Sequence, residues 1–359
     1  MQGRQPSEGV LSFRRTSEGK TDMGLTRRQM LLTTLAAAGG AVLAGCGGGG
    51  RSETGTGAAT GSAGFPVTID GKLGAATIPQ APQRVVSVGY TDHDAILALG
   101  VAPVAARYWY GDEKVVVQPW AQAAAQAVGA APAVLNMSSI EPEKIAAQRP
   151  DLVIGLYSDL DAQNYPVVSA VAPTVGPPRG FDDYGAPWQE YTRETGRALG
   201  KEAEAEKLVT DLEARFVAAR DADPQWKGRS VVVASRSADK ISVFSSQDPR
   251  SRFFTQLGFT VPPRIDELAA GNFYTEFSFE QASELDHDLI VWDQLSFTPG
   301  GKATVVGDPL LSRLPAMRDG RTVFLEGATE LAFAWQTVLS LPSVLDAVVP
   351  QLQRAIPKT

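Results

Sequence analysis

The chain carries a single cysteine among 359 residues, Cys46, so it can form no intrachain disulfide and no zinc ribbon. Histidine is almost as scarce. His93 and His287 stand far apart, each beside acids, and read as solvated residues near helix ends rather than metal ligands, so no metal site is expected. There is no Gly-x-Ser-x-Gly elbow and no Gly-x-x-x-x-Gly-Lys loop, which denies a serine hydrolase its nucleophile and a phosphate enzyme its cradle. With two histidines, acid–base catalysis would have to rest on carboxylates, so the chain is not expected to be an enzyme; an exported hydrolase is the competing class. Basic charge is also in short supply. The first 45 residues hold six of the 33 basic and three of the 40 acidic side chains, so the remainder sits near −10, which argues against nucleic acid or anionic lipid as the main partner.

Long apolar runs are missing too. The one candidate begins after Thr26-Arg27-Arg28-Gln29-Met30-Leu31-Leu32 and continues to Ala44, 12 residues, too short for a hydrocarbon core of about 30 Å. It reads as an export signal over residues 1–45, with either Met1 or Met23 as the start. The Arg27-Arg28 pair resembles the twin-arginine class, an ordinary Sec signal being the alternative. Leu43-Ala44-Gly45-Cys46 resembles a bacterial lipobox, which implies cleavage before Cys46 and acylation of its thiol. At about 0.8 kcal/mol per buried methylene, two or three acyl chains hold a protein at a membrane essentially permanently. Residues 46–64, rich in Gly, Ser, Thr and Ala, cannot bury enough apolar surface to fold and read as a flexible tether.

What remains is patterned as α/β. Val67–Ile69 and Thr77–Ile78 around Asp70-Gly71 predict a hairpin. Arg84–Val88 predicts a buried strand, Asp92 can cap a helix Asp94–Leu99 stopped by Gly100, and Val101–Ala105 starts the next strand. The alternation continues through a helix at Ile140–Gln148, a strand at Asp151–Ile154, a helix at Tyr165–Val171 and a strand at Thr174-Val175. Leu199, Ala203, Leu208, Leu212 and Phe216 recur at helical spacing, and residues 188–222 read as one strut helix of about 50 Å at about 1.5 Å per residue. A second half then repeats the theme: strands at Ser230–Ala234, Leu289–Trp292 and Thr322–Leu325, a hairpin at Asp239-Lys240, and helices at Ser251–Leu257, Phe279–Leu285, Pro309–Leu314 and from about Ser343. The expected architecture is α/β, two Rossmann-like lobes with parallel sheets, residues 65–187 and 223–359, joined by a single long helix.

Four segments carry a resemblance: PQRVVSVGYTDHDAILALGVAPV (82–104), EKIAAQRPDLVIG (143–155), FFTQLGF (253–259) and FSFEQASELDHDLIV (277–291). In this order, behind a lipobox, the chain resembles the iron-siderophore and cobalamin-type solute-binding proteins of ABC importers, the helical-backbone class, over about residues 82–356. The YWYGD stretch at Tyr108–Asp112 resembles actinobacterial ferric-siderophore binders. The resemblance implies a monomeric, lipid-anchored receptor on the extracytoplasmic face of the cell membrane, with a ferric siderophore as ligand, no cofactor, and ABC permease subunits as partners. Haem or cobalamin is the alternative cargo within that family. It also implies that Glu143 and Glu280, each at the start of a helix in its own lobe, dock onto permease arginines; first-turn carboxylates at a helix dipole are the plainer reading.

In an open parallel sheet, ligands sit beyond the carboxyl ends of the strands. There the chain places Tyr90, Trp109, Tyr110, Tyr157, Arg236 and Trp292, with Tyr274 and Trp335 in loops that could reach the same cleft. Aromatic faces suit a wide, partly flat chelate, and a guanidinium suits an anionic one.

Overall fold

The computed structural model describes residues 64–358; the expectations for the signal segment, Cys46 and the tether lie outside the described residues. Strands β1 (Val67–Asp70) and β2 (Ala75–Ile78) form the expected antiparallel hairpin, Val67 opposite Ile78. It lies on the first lobe, sinking Ile69 and Ile78 into its core.

Strands β3 (Val85–Ser87), β4 (Ala105–Arg107), β5 (Ala133–Leu135), β6 (Leu152–Ile154) and β7 (Thr174–Val175) build a sheet of order β5-β4-β3-β6-β7, parallel throughout. Neighbouring residues feed opposite faces: Val85, Leu152 and Ile154 join one core, Val86 and Val153 the other. This two-sided burial explains why the strands read as unbroken apolar runs. The second lobe has strands β8 (Val231–Arg236), β9 (Ile241–Phe244), β10 (Tyr274–Phe277), β11 (Leu289–Asp293) and β12 (Thr322–Phe324) in the order β10-β9-β8-β11-β12. β8, β11 and β12 are parallel, whereas β9 and β10 add antiparallel strands at one edge, so the halves are less alike than their sequences suggest. Among the described residues no helix is long and apolar enough to cross a membrane.

The stretch 188–222 is not one helix. It divides into Trp188–Leu199 and Glu202–Ala222, and Gly200 between them is left-handed (φ 66°, ψ 34°), with the Lys201 amide donating back to the Gly196 carbonyl at 2.7 Å. Glycine adopts that conformation without steric cost and commonly ends helices this way. The second helix folds back along the first, held by Arg193–Glu206 (2.7 Å) and Gln189–Glu213 (3.1 Å). Gly196 permits the close approach, because a Cβ there would stand 2.4 Å from that of Ala205. The strut is therefore Glu202–Ala222 alone, about 30 Å long. Its Ala205 packs into the first lobe's core and its Val209, Leu212 and Phe216 into the second's.

Smaller expectations also shift. The Val101–Ala105 strand begins only at Ala105, and helices Gln122–Ala127, Gly301–Gly307 and Gly327–Trp335 were not expected. Asp92 does not cap its own helix; its carboxylate accepts from the Leu156 and Tyr157 amides across the sheet (2.7 and 3.2 Å). His93 is not solvated but buried at 1% exposure. Among the described residues no cluster of three or more His, Cys, Asp or Glu could hold a metal ion.

Candidate ligand-binding cleft

The carboxyl ends of β3, β4 and β6 each release an aromatic residue into one place. Tyr90 lies 5.6 Å from Trp109 and 5.8 Å from Tyr157, measured between ring centroids, and Trp109 lies 6.3 Å from Tyr110 and 6.2 Å from Tyr157. Trp335, at the end of its helix in the second lobe, meets Trp109 at 4.9 Å and Tyr110 at 6.1 Å. Five of the eight expected ligand-contacting residues thus form one cluster that straddles the lobes. The rings meet at tilted or edge-on angles, the arrangements their quadrupoles favour. Two further contacts cross the gap: Tyr110 stacks on Phe297 at 5.5 Å, and its hydroxyl lies 3.3 Å from Ser296 Oγ.

Beneath the rings is a layer of buried charge. Arg107, 1% exposed, pairs with Asp159, donates to the Met137 and Ser138 carbonyls, and sits 4.6 Å from the Tyr90 ring. Asp92 holds the loop that aims Tyr157; burial drives its carboxyl up to about 7 against the pull of the two amides. Gly89 makes room for it, since a Cβ there would stand 1.9 Å from Asp92 Oδ2. Asp94 accepts from Trp120 Nε1 at 2.8 Å and from Thr337 Oγ1 at 2.5 Å, tying the two lobes and fixing Trp120 edge-on to Trp335. Burial pushes the phenols of Tyr90, Tyr157, Tyr184 and Tyr191 upward, so all four are neutral hydrogen-bonding groups at ordinary pH.

In the second lobe Arg250 pairs with Asp248 (3.0 Å) and Asp293 (3.2 Å) and lies over the Phe244 ring. Arg252 reaches across to donate to the Gly185 carbonyl at 2.8 Å.

Three expected residues do not join. Trp292 is wholly buried; its β11 position points it into the core opposite the face of Asp293, with its indole N–H toward Met317 Sδ, so the structure places it in the core and away from the ring cluster. Arg236 is turned within its own lobe, pairing with Asp308 at 3.3 Å, donating to the Ser237 carbonyl and lying over Phe279. Tyr274 packs beside the second lobe's core from edge strand β10. The sequence reading missed Tyr184 and Tyr191, which extend the cluster through Tyr157, and also Trp120, Phe297, Arg107 and Arg250. Tyr184 follows no strand and has φ 63°, so the strand-end rule could not find it. Glu143 and Glu280 are exposed, one on each lobe. A cavity of about 400 Å³ between β12 and the final helix Ser340–Ala355, lined by Thr322, Phe324, Gln351 and Arg354 among others, takes none of these rings.

A model of the family described as periplasmic binding protein matches residues 85–329. The Fe(3+)-citrate-binding protein YfmC of Bacillus subtilis is 27% identical over 271 residues, 70% of this chain and 76% of its own length. A periplasmic solute binding protein from Mycobacterium smegmatis superposes with a TM-score of 0.71 at 32% identity, over 81% of this chain and 98% of its own. PiaA of Streptococcus pneumoniae, solved in complex with ferrichrome, superposes with a TM-score of 0.69 at 25% identity, over 80% and 98%.

Proposed function

The chain belongs to the periplasmic binding protein family, and from that premise we propose that it captures a ferric siderophore outside the cytoplasm and delivers it to an ABC permease for iron uptake. The observation that carries the reading is the ring cluster of Tyr90, Trp109, Tyr110, Tyr157 and Trp335 between two α/β lobes. Its breadth suits a flat, wide chelate better than a small polar solute, and rings drawn from both lobes allow closure over cargo. Names among the relatives, for ferric citrate and ferrichrome binding, support the same cargo class. The family is one of solute binders, and the reading assigns no catalytic residue.

Delivery is assigned to Glu143 and Glu280, exposed carboxylates that would meet cationic permease subunits, with charge pairing setting orientation and encounter rate. Anchoring is assigned to Cys46, acylated after removal of residues 1–45, with 46–64 as the tether. The deciding measurement is quenching of intrinsic tryptophan fluorescence in the unliganded protein against ferrichrome, ferric citrate, ferrioxamine, haem and cobalamin. Saturable quenching by a ferric chelate, with haem and cobalamin inactive, is expected. Binding of none of the ferric chelates defeats the proposal. For the anchor, Cys46→Ala should leave the protein as precursor or released, and its retention in membranes as for the wild type defeats that part.

A further inference from the structure

Resting on the ferric-siderophore reading, we infer that the C-terminal lobe selects chelates that present a cationic or N–H-donating group to Asp293, over chelates whose periphery is anionic. Asp293 closes β11 at the carboxyl end of the second sheet, on the side that carries the rings, and is 1% exposed. Neither of its carboxylate oxygens accepts a hydrogen bond of good geometry. Its nearest cation, Arg250 Nε at 3.2 Å, is also without a well-formed hydrogen bond and is shared with Asp248. A second buried carboxylate, Glu330, stands beside it and accepts from the Ser296 amide at 3.2 Å and from the Ser296 hydroxyl, whose oxygen lies near the Tyr110 phenol. Arg252, the other guanidinium on this side, is turned toward the Gly185 and Gln247 carbonyls.

Two buried carboxyls, Asp248 and Asp293, therefore share the Arg250 guanidinium beside the rings, and a third, Glu330, adds its charge to that of Asp293. A buried carboxylate whose donors are poorly aligned is expensive, and in a folded protein such a group favours a better-placed partner. Burial drives the Asp293 carboxyl up to about 6, against Arg250 and the Gln294 amide, and the Glu330 charge adds to the rise. An incoming ammonium or N–H donor relieves that repulsion; an incoming carboxylate deepens it. Arg236, which a reading from sequence offers as the anion receptor, is spent on Asp308.

Ferrioxamine B carries a terminal ammonium, and its N-acetyl derivative keeps the same ferric trihydroxamate without that charge. Both are titrated into wild-type protein by tryptophan quenching. Acetylation should weaken binding about tenfold or more, the effect of losing one charge-assisted hydrogen bond. In Asp293→Asn, checked for folding by circular dichroism, the gap should shrink to about threefold or less. The ligand pair is informative on the wild type alone, so a variant that misfolds does not blunt the test. Equal wild-type affinity for the two chelates overturns the inference and leaves the receptor reading intact, as does binding of ferric citrate alone. Failure of every ferric chelate overturns the receptor reading, and this inference with it.

Discussion

The two lobes contribute unequally to the candidate cleft. The N-terminal sheet is parallel throughout, and the loops after three of its strands each deliver rings, Tyr90, Trp109 with Tyr110, and Tyr157. The C-terminal sheet gives up one edge to the antiparallel strands β9 and β10 and contributes fewer rings, Phe297 and Trp335, with its own set of buried charges around Arg250. A strand that returns at once through a hairpin has no long crossover loop at its carboxyl end to carry a ligand contact. The regular lobe thus supplies most of the aromatic area, whereas buried charge comes from both lobes.

The largest effect should come from the side that supplies area. Trp109→Ala removes a ring that touches Tyr90 and Tyr157 on one side and Trp335 on the other, and chelate affinity should fall by about 2 kcal/mol, roughly 30-fold in Kd, by tryptophan quenching or calorimetry. A loss below threefold would mean that the N-terminal rings are packing and not a binding face.

Stability against pH sharpens the comparison next. Asp92 and Asp293, one per lobe, are raised by burial to about 7 and about 6. A carboxyl raised in the folded state holds a proton there that the unfolded chain has released, so its contribution to stability falls as pH rises from about 4 to its folded value. Asp293→Asn should gain on the wild type up to about pH 6 and Asp92→Asn up to about pH 7, as urea midpoints measured across pH 4–8 would reveal. Coincident variant and wild-type profiles would show that neither carboxyl is desolvated.

A smaller loss, about 1 kcal/mol or more, is expected for Gly200→Ala, which puts a Cβ at positive φ and against the Phe65 ring. Urea unfolding tests it, and an unchanged midpoint would mean the hairpin turn tolerates another backbone. Least of all should Arg236→Ala change binding: affinity within about twofold of wild type, with a stability loss of about 1 kcal/mol from the broken Asp308 contact. A tenfold loss of affinity would return Arg236 to the cleft and redraw the charge layer.

Much of this arrangement was legible in the residues. Runs such as Leu289–Trp292 announce strands buried on both faces, and the strand-end rule gathers Tyr90, Trp109, Tyr110 and Tyr157. The same two-sided burial hides parity. Nothing in Leu-Ile-Val-Trp-Asp says whether Trp292 or Asp293 turns toward the cleft side, and the structure chooses Asp293. Gly200 is ambiguous for a related reason: helical periodicity is intact on both sides of it, and only contacts such as Gly196 with Ala205 decide that the chain reverses there. Arg107, Arg250 and Tyr184 find their places through residues distant in the chain, which no local spacing records.

The helix Glu202–Ala222 also makes the lobes poor candidates for separate lives. It lends Ala205 to one core and Val209, Leu212 and Phe216 to the other, so each core includes a wall that belongs equally to its neighbour. A gene cut before residue 202 strips the first lobe of a wall, and one cut after residue 222 leaves the second with an open apolar trough. Melting should therefore be a single cooperative event in calorimetry, and half-proteins expressed alone should aggregate where the co-expressed pair stays soluble.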